Sequence, residues 1–176
     1  DHVRDLATTR HNLAMVQVGE GTYGPAEENY RKALEAQEKL VRLSPKVTQY
    51  QVDLARTHFN LADLFRIRGQ KEESIAEFTV AVNGWKELAD SHPAVNRFHA
   101  GHARTLLGLC MARRLAKDET EAEAACKKAQ EIYKRLAESG TMLPQDRAEV
   151  AVGQRLMGNL YHGINKAEPA RTAFLK

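Results

Sequence analysis

The chain has 176 residues, 43% of them hydrophobic and 28% charged, an ordinary composition for a soluble globular protein. A net charge of +3 with 6% aromatic residues argues against nucleic acid, which wants a clustered basic face. Nowhere do the roughly 18 consecutive apolar residues of a membrane span occur, nor does a charged, apolar and small-residue leader. The first residue is not Met, and Thr172-Ala173-Phe174-Leu175-Lys176 ends inside a helical pattern, so a piece of a longer protein is expected.

Taken in chain order, one phrase is written almost four times at a spacing of 48 residues. Asp5-Leu6-Ala7-Thr8-Thr9 opens the first copy, and Asn12-Leu13-Ala14, Gly21, Ala26, Tyr30 and Ala33 follow before a stop at Ser44-Pro45. The second copy answers with Asp53-Leu54-Ala55-Arg56-Thr57, then Asn60-Leu61-Ala62, Gly69, Ser74, Phe78 and Ala81, and stops at Ser91-His92-Pro93. Its first helix is predicted from about Thr48 to Ile67, with Leu54, Ala55, His58, Leu61, Ala62 and Phe65 on one apolar stripe. A second helix runs through Phe78, Ala81, Val82, Trp85, Leu88 and Ala89, and a proline cannot continue it. Val47 with Tyr50, and Val95 with Phe98, would pack ahead of the next first helix as a hydrophobic staple does.

The third copy is looser, with Ala103-Arg104-Thr105, Leu109-Cys110, Lys117, Ala122, Cys126 and Ala129. The fourth offers Ala151, Met157-Gly158, Asn165, Ala170 and Phe174. No strand pattern, low-complexity run or second domain is found. The boundaries that follow are 1–47, 48–95, 96–143 and a truncated 144–176, within one repeat domain. Repeats of this length predict an all-α, right-handed solenoid of antiparallel helix hairpins, about three and a half units long.

Large-small in the first helix, glycine at the turn, then small, aromatic and alanine in the second, together resemble the tetratricopeptide repeat over the whole chain. Small residues let two helix backbones approach while the aromatic fills the groove between hairpins. The usual unit has about 34 residues; here the excess lies in longer helices and in the proline joint. The alanine-rich hairpin with its Leu88-Ala89-Asp90-Ser91-His92-Pro93 joint is similar to the long-period repeats that follow the kinase domain of large bacterial serine/threonine kinases. That resemblance implies a cytoplasmic signalling protein.

Catalytic and metal chemistry find little support. His99 and His102 share a helical face but lack further ligands there. Gly19-Glu20-Gly21-Thr22-Tyr23-Gly24 follows a helix, where a dinucleotide site would follow a strand. Cys110 and Cys126 replace Ala62 and Phe78, so they are expected at buried positions, without a disulfide, in a reducing compartment. No enzyme activity, metal or cofactor is expected.

The resemblance places the binding surface on the first helix of each hairpin, helix A. Carried over, it comprises Asn12 with Thr8, His11 and Met15; Arg56, Asn60 and Asp63 with Phe59 and Arg66; Arg104 and Met111 with Leu107 and Arg114; and Arg155 and Asn159 with His162. Arginine recurs there while acidic residues are scarce, so a positive groove is expected. Arginine forks suit carboxylates and phosphates, and asparagine can bond a peptide backbone. The expected partner is a protein or an extended peptide, acidic or phosphorylated. The alternative is an assembly module, a weak homo-oligomer joined through solenoid ends near Met157, Tyr161 and Phe174.

Overall fold

The structure, a computed structural model, describes residues 2–139, 147, 148, 150–155 and 158. Six helices have their bounds among the described residues, in order α1 (His2–Gly19), α2 (Tyr23–Leu43), α3 (Thr48–Ile67), α4 (Lys71–Ser91), α5 (Asn96–Leu115) and α6 (Glu119–Glu138), and the described residues 147, 148, 150–155 and 158 are helical as well. No strand occurs among the described residues. The second helices of the hairpins begin at Tyr23, Lys71 and Glu119, and α3 and α5 at Thr48 and Asn96, so the 48-residue period of the sequence is the period of the helices. The fold class is the all-α, tetratricopeptide-like one that the repeat predicts.

The same turn ends α1, α3 and α5. Gly21, Gly69 and Lys117 lie in the left-handed region at φ 76°, 74° and 65°. Each donates its N–H to the carbonyl three residues back: Gly21 to Val18, Gly69 to Arg66, Lys117 to Arg114, at 2.9–3.1 Å. The next residue reaches back five, Thr22 to Gln17, Gln70 to Phe65 and Asp118 to Arg113, each at 2.9 Å. This pair of bonds is a Schellman cap, which satisfies the last carbonyls of a helix and favours glycine because a Cβ is strained there. Replacement of the turn glycine by lysine leaves the backbone unchanged and adds strain. Lys117→Gly is therefore expected to stabilise the third hairpin by roughly 0.5–1 kcal/mol, measurable as a higher denaturation midpoint; an unchanged or lower midpoint would refute the assignment.

The chain packs as two compact units, Asp1–Leu88 and Ala89–Lys176. In the first, α1 and α2 form a hairpin, and α3 packs on α2 and more narrowly on α1. The core joins Ala14 to Ala26, Tyr30 and Leu34 of α2 and to Leu61, Leu64 and Phe65 of α3, with Val18, Tyr23 and Leu54 against it. Small residues do bring helices together: Ser74 Oγ donates to the Ala62 carbonyl at 2.9 Å, and a Cβ added at Gly84 would stand 3.3 Å from that of Ala55. Phe78 is fully buried, edge-on to Phe59 at 5.6 Å. Two expectations change. Leu13, the large residue of the first copy, is 47% exposed although its counterpart Leu61 is buried, and Val47 caps α3 from an exposed position.

In the second unit α5 packs on α6. Leu106, Leu107, Leu109 and Ala112 of α5 are buried, as are Ala122, Ala129, Ile132, Tyr133 and Leu136 of α6. Cys110 and Cys126 are buried as expected, but they are joined in a disulfide with a Cα separation of 5.6 Å, so the expectation of separate thiols is corrected. In the first hairpin the same two registers hold Ala14 and Tyr30 of one core cluster, and two cysteines placed at these registers come within bonding reach. With that bond the cysteines no longer argue for a reducing compartment. Residue 153, a buried glycine, lies so close to Tyr133 that an added Cβ would fall 2.1 Å from its Cζ.

Candidate functional site

The first unit carries a polar network where α1 meets α3. His11 is 1% exposed. Its Nδ1 lies 2.8 Å from Thr57 Oγ1, and Thr57 Oγ1 in turn donates to the Asp53 carbonyl at 3.0 Å. On the other side Asn60 Nδ2 stands 3.2 Å from His11 Nε2. An amide N–H can only donate, so Nε2 accepts, and the ring proton sits on Nδ1 and points at Thr57. The ring is thus held neutral in one tautomer. Burial, and then the nearby Arg56 guanidinium, push its pKa down from 6.5 to about 4, against a smaller upward pull from Asp53. Tyr30 stands edge-on to the imidazole at 5.6 Å; burial, helped by the Asp63 carboxylate, pushes its phenol up to about 12.

Beside this network Asp53, 4% exposed, is the hub of a charge cluster. Arg56 approaches Oδ1 at 3.2 Å, Gln49 Nε2 donates to the same oxygen at 3.0 Å, and Arg4 approaches Oδ2 at 3.5 Å. Arg66 is paired with Asp63 at 2.7 Å. The expectation of an arginine groove nearly empty of acids is therefore corrected in the first unit. The arginines sit one helical turn from aspartates on the same helix, where i,i+3 side chains meet. The repeat pattern carries over only outward positions, and Asp53 organises the face from beneath them.

The predicted residues divide accordingly. Asn12 is exposed beside exposed Met15 on α1, whereas Arg56, Asn60 and Asp63 on α3 are half-buried and each engaged within the unit. In the second unit Arg104 and Met111 are half-buried on α5, and Arg155 is exposed. Asn159, His162, Met157, Tyr161, Asn165, Ala170 and Phe174 lie outside the described residues. The histidines go separate ways: His58 Nδ1 pairs with Glu77 at 2.6 Å, and His99 Nε2 lies 3.1 Å from the Pro93 carbonyl. Among the described residues no three His, Cys, Asp or Glu side chains group as a metal would require.

The threonines of the repeated phrase form a column whose bonding the sequence does not show. Thr9, Thr57 and Thr105 stand 48 residues apart, and each hydroxyl donates to the carbonyl four residues back, Asp5, Asp53 and Gly101, at 2.8, 3.0 and 2.8 Å. Thr57 and Thr105 are fully buried. The recurrence of the type at one register was the available signal.

No helix among the described residues is long and apolar enough to cross a membrane. A search of curated proteins returned no match. The family model described as the tetratricopeptide repeat matches residues 7–46, which spans α2 and most of α1. With the same turns and hairpins recurring at 48 residues, that match supports a repeat protein of the tetratricopeptide family.

Proposed function

We propose that the chain is a non-catalytic protein-interaction module that takes an extended peptide, acidic or phosphorylated, along the helix-A face. The observation that carries this reading is the polar contact of α1 with α3, where Asn60 meets His11 and Arg4 and Arg56 share Asp53, with Asn12 and Met15 exposed on α1, in hairpins of a family that generally mediates protein–protein contacts. Asn12 supplies a backbone-matching amide, and Arg56 keeps a guanidinium edge for a carboxylate or phosphate after meeting Asp53. In the second unit, taken by itself, the same reading falls on Arg104, Met111 and Arg155, with Asn159 carried from the repeat register alone. We place the module in a single repeat domain within a larger cytoplasmic bacterial protein, kinase-containing, on the strength of the 48-residue period and its proline joints. A second reading, self-association, is favoured by the exposed apolar residues of α1.

Asn12→Ala and Arg56→Met test the first reading without dismantling the face, since Asp53 keeps Arg4 and Gln49. In titrations against acidic, phosphorylated and neutral peptides at two salt concentrations, the pair is expected to lower affinity at least about tenfold, and binding is expected to weaken with salt. Failure of the folded chain to bind any of them would sink the proposal.

A further inference from the structure

Where the proline joint enters α5, a half-open cleft of about 260 Å³ lies against the C-terminal end of α6. The antiparallel packing of α5 on α6 sets the start of one helix beside the end of the other. Ile132, Arg135 and Leu136 follow at spacings of three and four, so they share one face of α6 and form one wall of the cleft. Pro93, Asn96 and His99 form the other. Ile132 and Leu136 keep only 6% and 5% of their surface exposed, which makes the floor apolar. The joint itself is held in place, because His99 Nε2 donates to the Pro93 carbonyl at 3.1 Å and the Val95 N–H to the His92 carbonyl at 2.9 Å.

Arg135 supplies the charge. It is exposed and forms no ion pair among the described residues, and no carboxylate occurs among the described lining residues. A cation in the last turn of α6 suits the helix dipole, yet that role needs no cleft beside it. Comparison of the copies separates the two roles. The registers of Ile132 and Arg135 hold Ala36 and Lys39 in the first copy and Gly84 and Glu87 in the second, so only the third sets a branched aliphatic side chain beside a guanidinium. The joint is not what differs: Gln51, at the register of His99, makes the same bond to the Pro45 carbonyl at 3.0 Å.

We propose that this cleft binds a small aliphatic carboxylic acid, its carboxylate on the Arg135 guanidinium and its hydrocarbon body between Pro93 and the wall of Ile132 and Leu136. A guanidinium fork matches a carboxylate with two parallel hydrogen bonds, and an apolar wall with few polar groups is the usual make-up of a ligand site. The volume, just under the roughly 300–1,000 Å³ of such sites, limits the body to a few carbons. A peptide that ends in leucine presents the same chemistry. The proposed peptide face uses other residues, so the two readings stand or fall separately.

Amide-proton shifts of the whole chain during titration with isocaproate test the site. Saturable shifts are expected at Asn96, His99 and the end of α6, and isocaproamide, which lacks the charge, is expected to bind at least about tenfold more weakly. Arg135→Glu puts the second copy's charge at an exposed position; it is expected to weaken the acid by a similar factor while the helix signal stays unchanged. A response that is absent, equal for acid and amide, or indifferent to Arg135→Glu would overturn the proposal. So would a leucine-terminated peptide that saturates the cleft where the free acid does not, since the cleft would then read a chain end.

Discussion

Acidification from pH 7 to pH 4 is expected to loosen the α1–α3 contact through His11, at a cost of about 3 kcal/mol to the first unit. In the unfolded chain the imidazole takes up a proton near 6.5, whereas in the folded unit it resists until about 4. Between those values the unfolded state binds more protons, so stability falls as pH falls; the contribution is complete above 6.5 and exhausted near 4. The cause is local. Nε2 already accepts from Asn60, so a proton added there would face an amide donor, with the Arg56 cation nearby. Asp53 offsets part of this, and Tyr30 presents its ring from α2. His11→Gln removes the titration while keeping one donor and one acceptor. Denaturant unfolding from pH 7 to 4 should therefore show a shallower acid slope in the variant than in the parent, and a ring titration of His11 should fall near 4, well below the ordinary imidazole value of 6.5. A His11 titration near 6.5 would sink the argument.

The period was the most legible part of the chain, because a turn that must cap a helix recurs wherever the helix ends. Gly21 and Gly69 marked it directly, and Lys117 kept the left-handed conformation because the two backbone bonds of the cap survive a change of side chain. Less legible was which side of a helical stripe finds a neighbour. Leu13 and Leu61 are the same letter in the same register, yet one is exposed and the other packed beneath α2. Periodicity reports that a face is apolar, and burial depends on the element that comes to meet it. The charge of the candidate site was misread for a related reason. Counting arginines on outward positions ignored Asp53, one turn away, whose burial follows from its three polar neighbours and from no property of the residue itself.

Reduction of the Cys110–Cys126 bond is expected to cost the second unit about 3 kcal/mol, since the crosslink closes a loop with a sequence separation of 16. The packing argues that the unit depends on it. At these registers the first hairpin has Ala14 and Tyr30 in one core cluster and the second has Ala62 and Phe78, each aromatic at least 98% buried. Cys126 supplies far less volume than either ring, and removal of a buried aromatic costs about 3–5 kcal/mol, so the covalent bond replaces contacts that the third hairpin lacks. Thermal unfolding with and without a thiol reductant should therefore differ by on the order of 10 °C or more in the transition of this unit. Cys110→Ala with Cys126→Phe, which restores the pair of the second hairpin, should lose the sensitivity to reductant and retain more stability than Cys110→Ala with Cys126→Ala. Equal transitions in both conditions, with two free thiols titrated after reduction, would show that the hairpin stands on its remaining contacts alone. Because both sulfurs are buried, the reductant must wait for the hairpin to open, and the rate of thiol release should follow local unfolding more closely than reductant concentration.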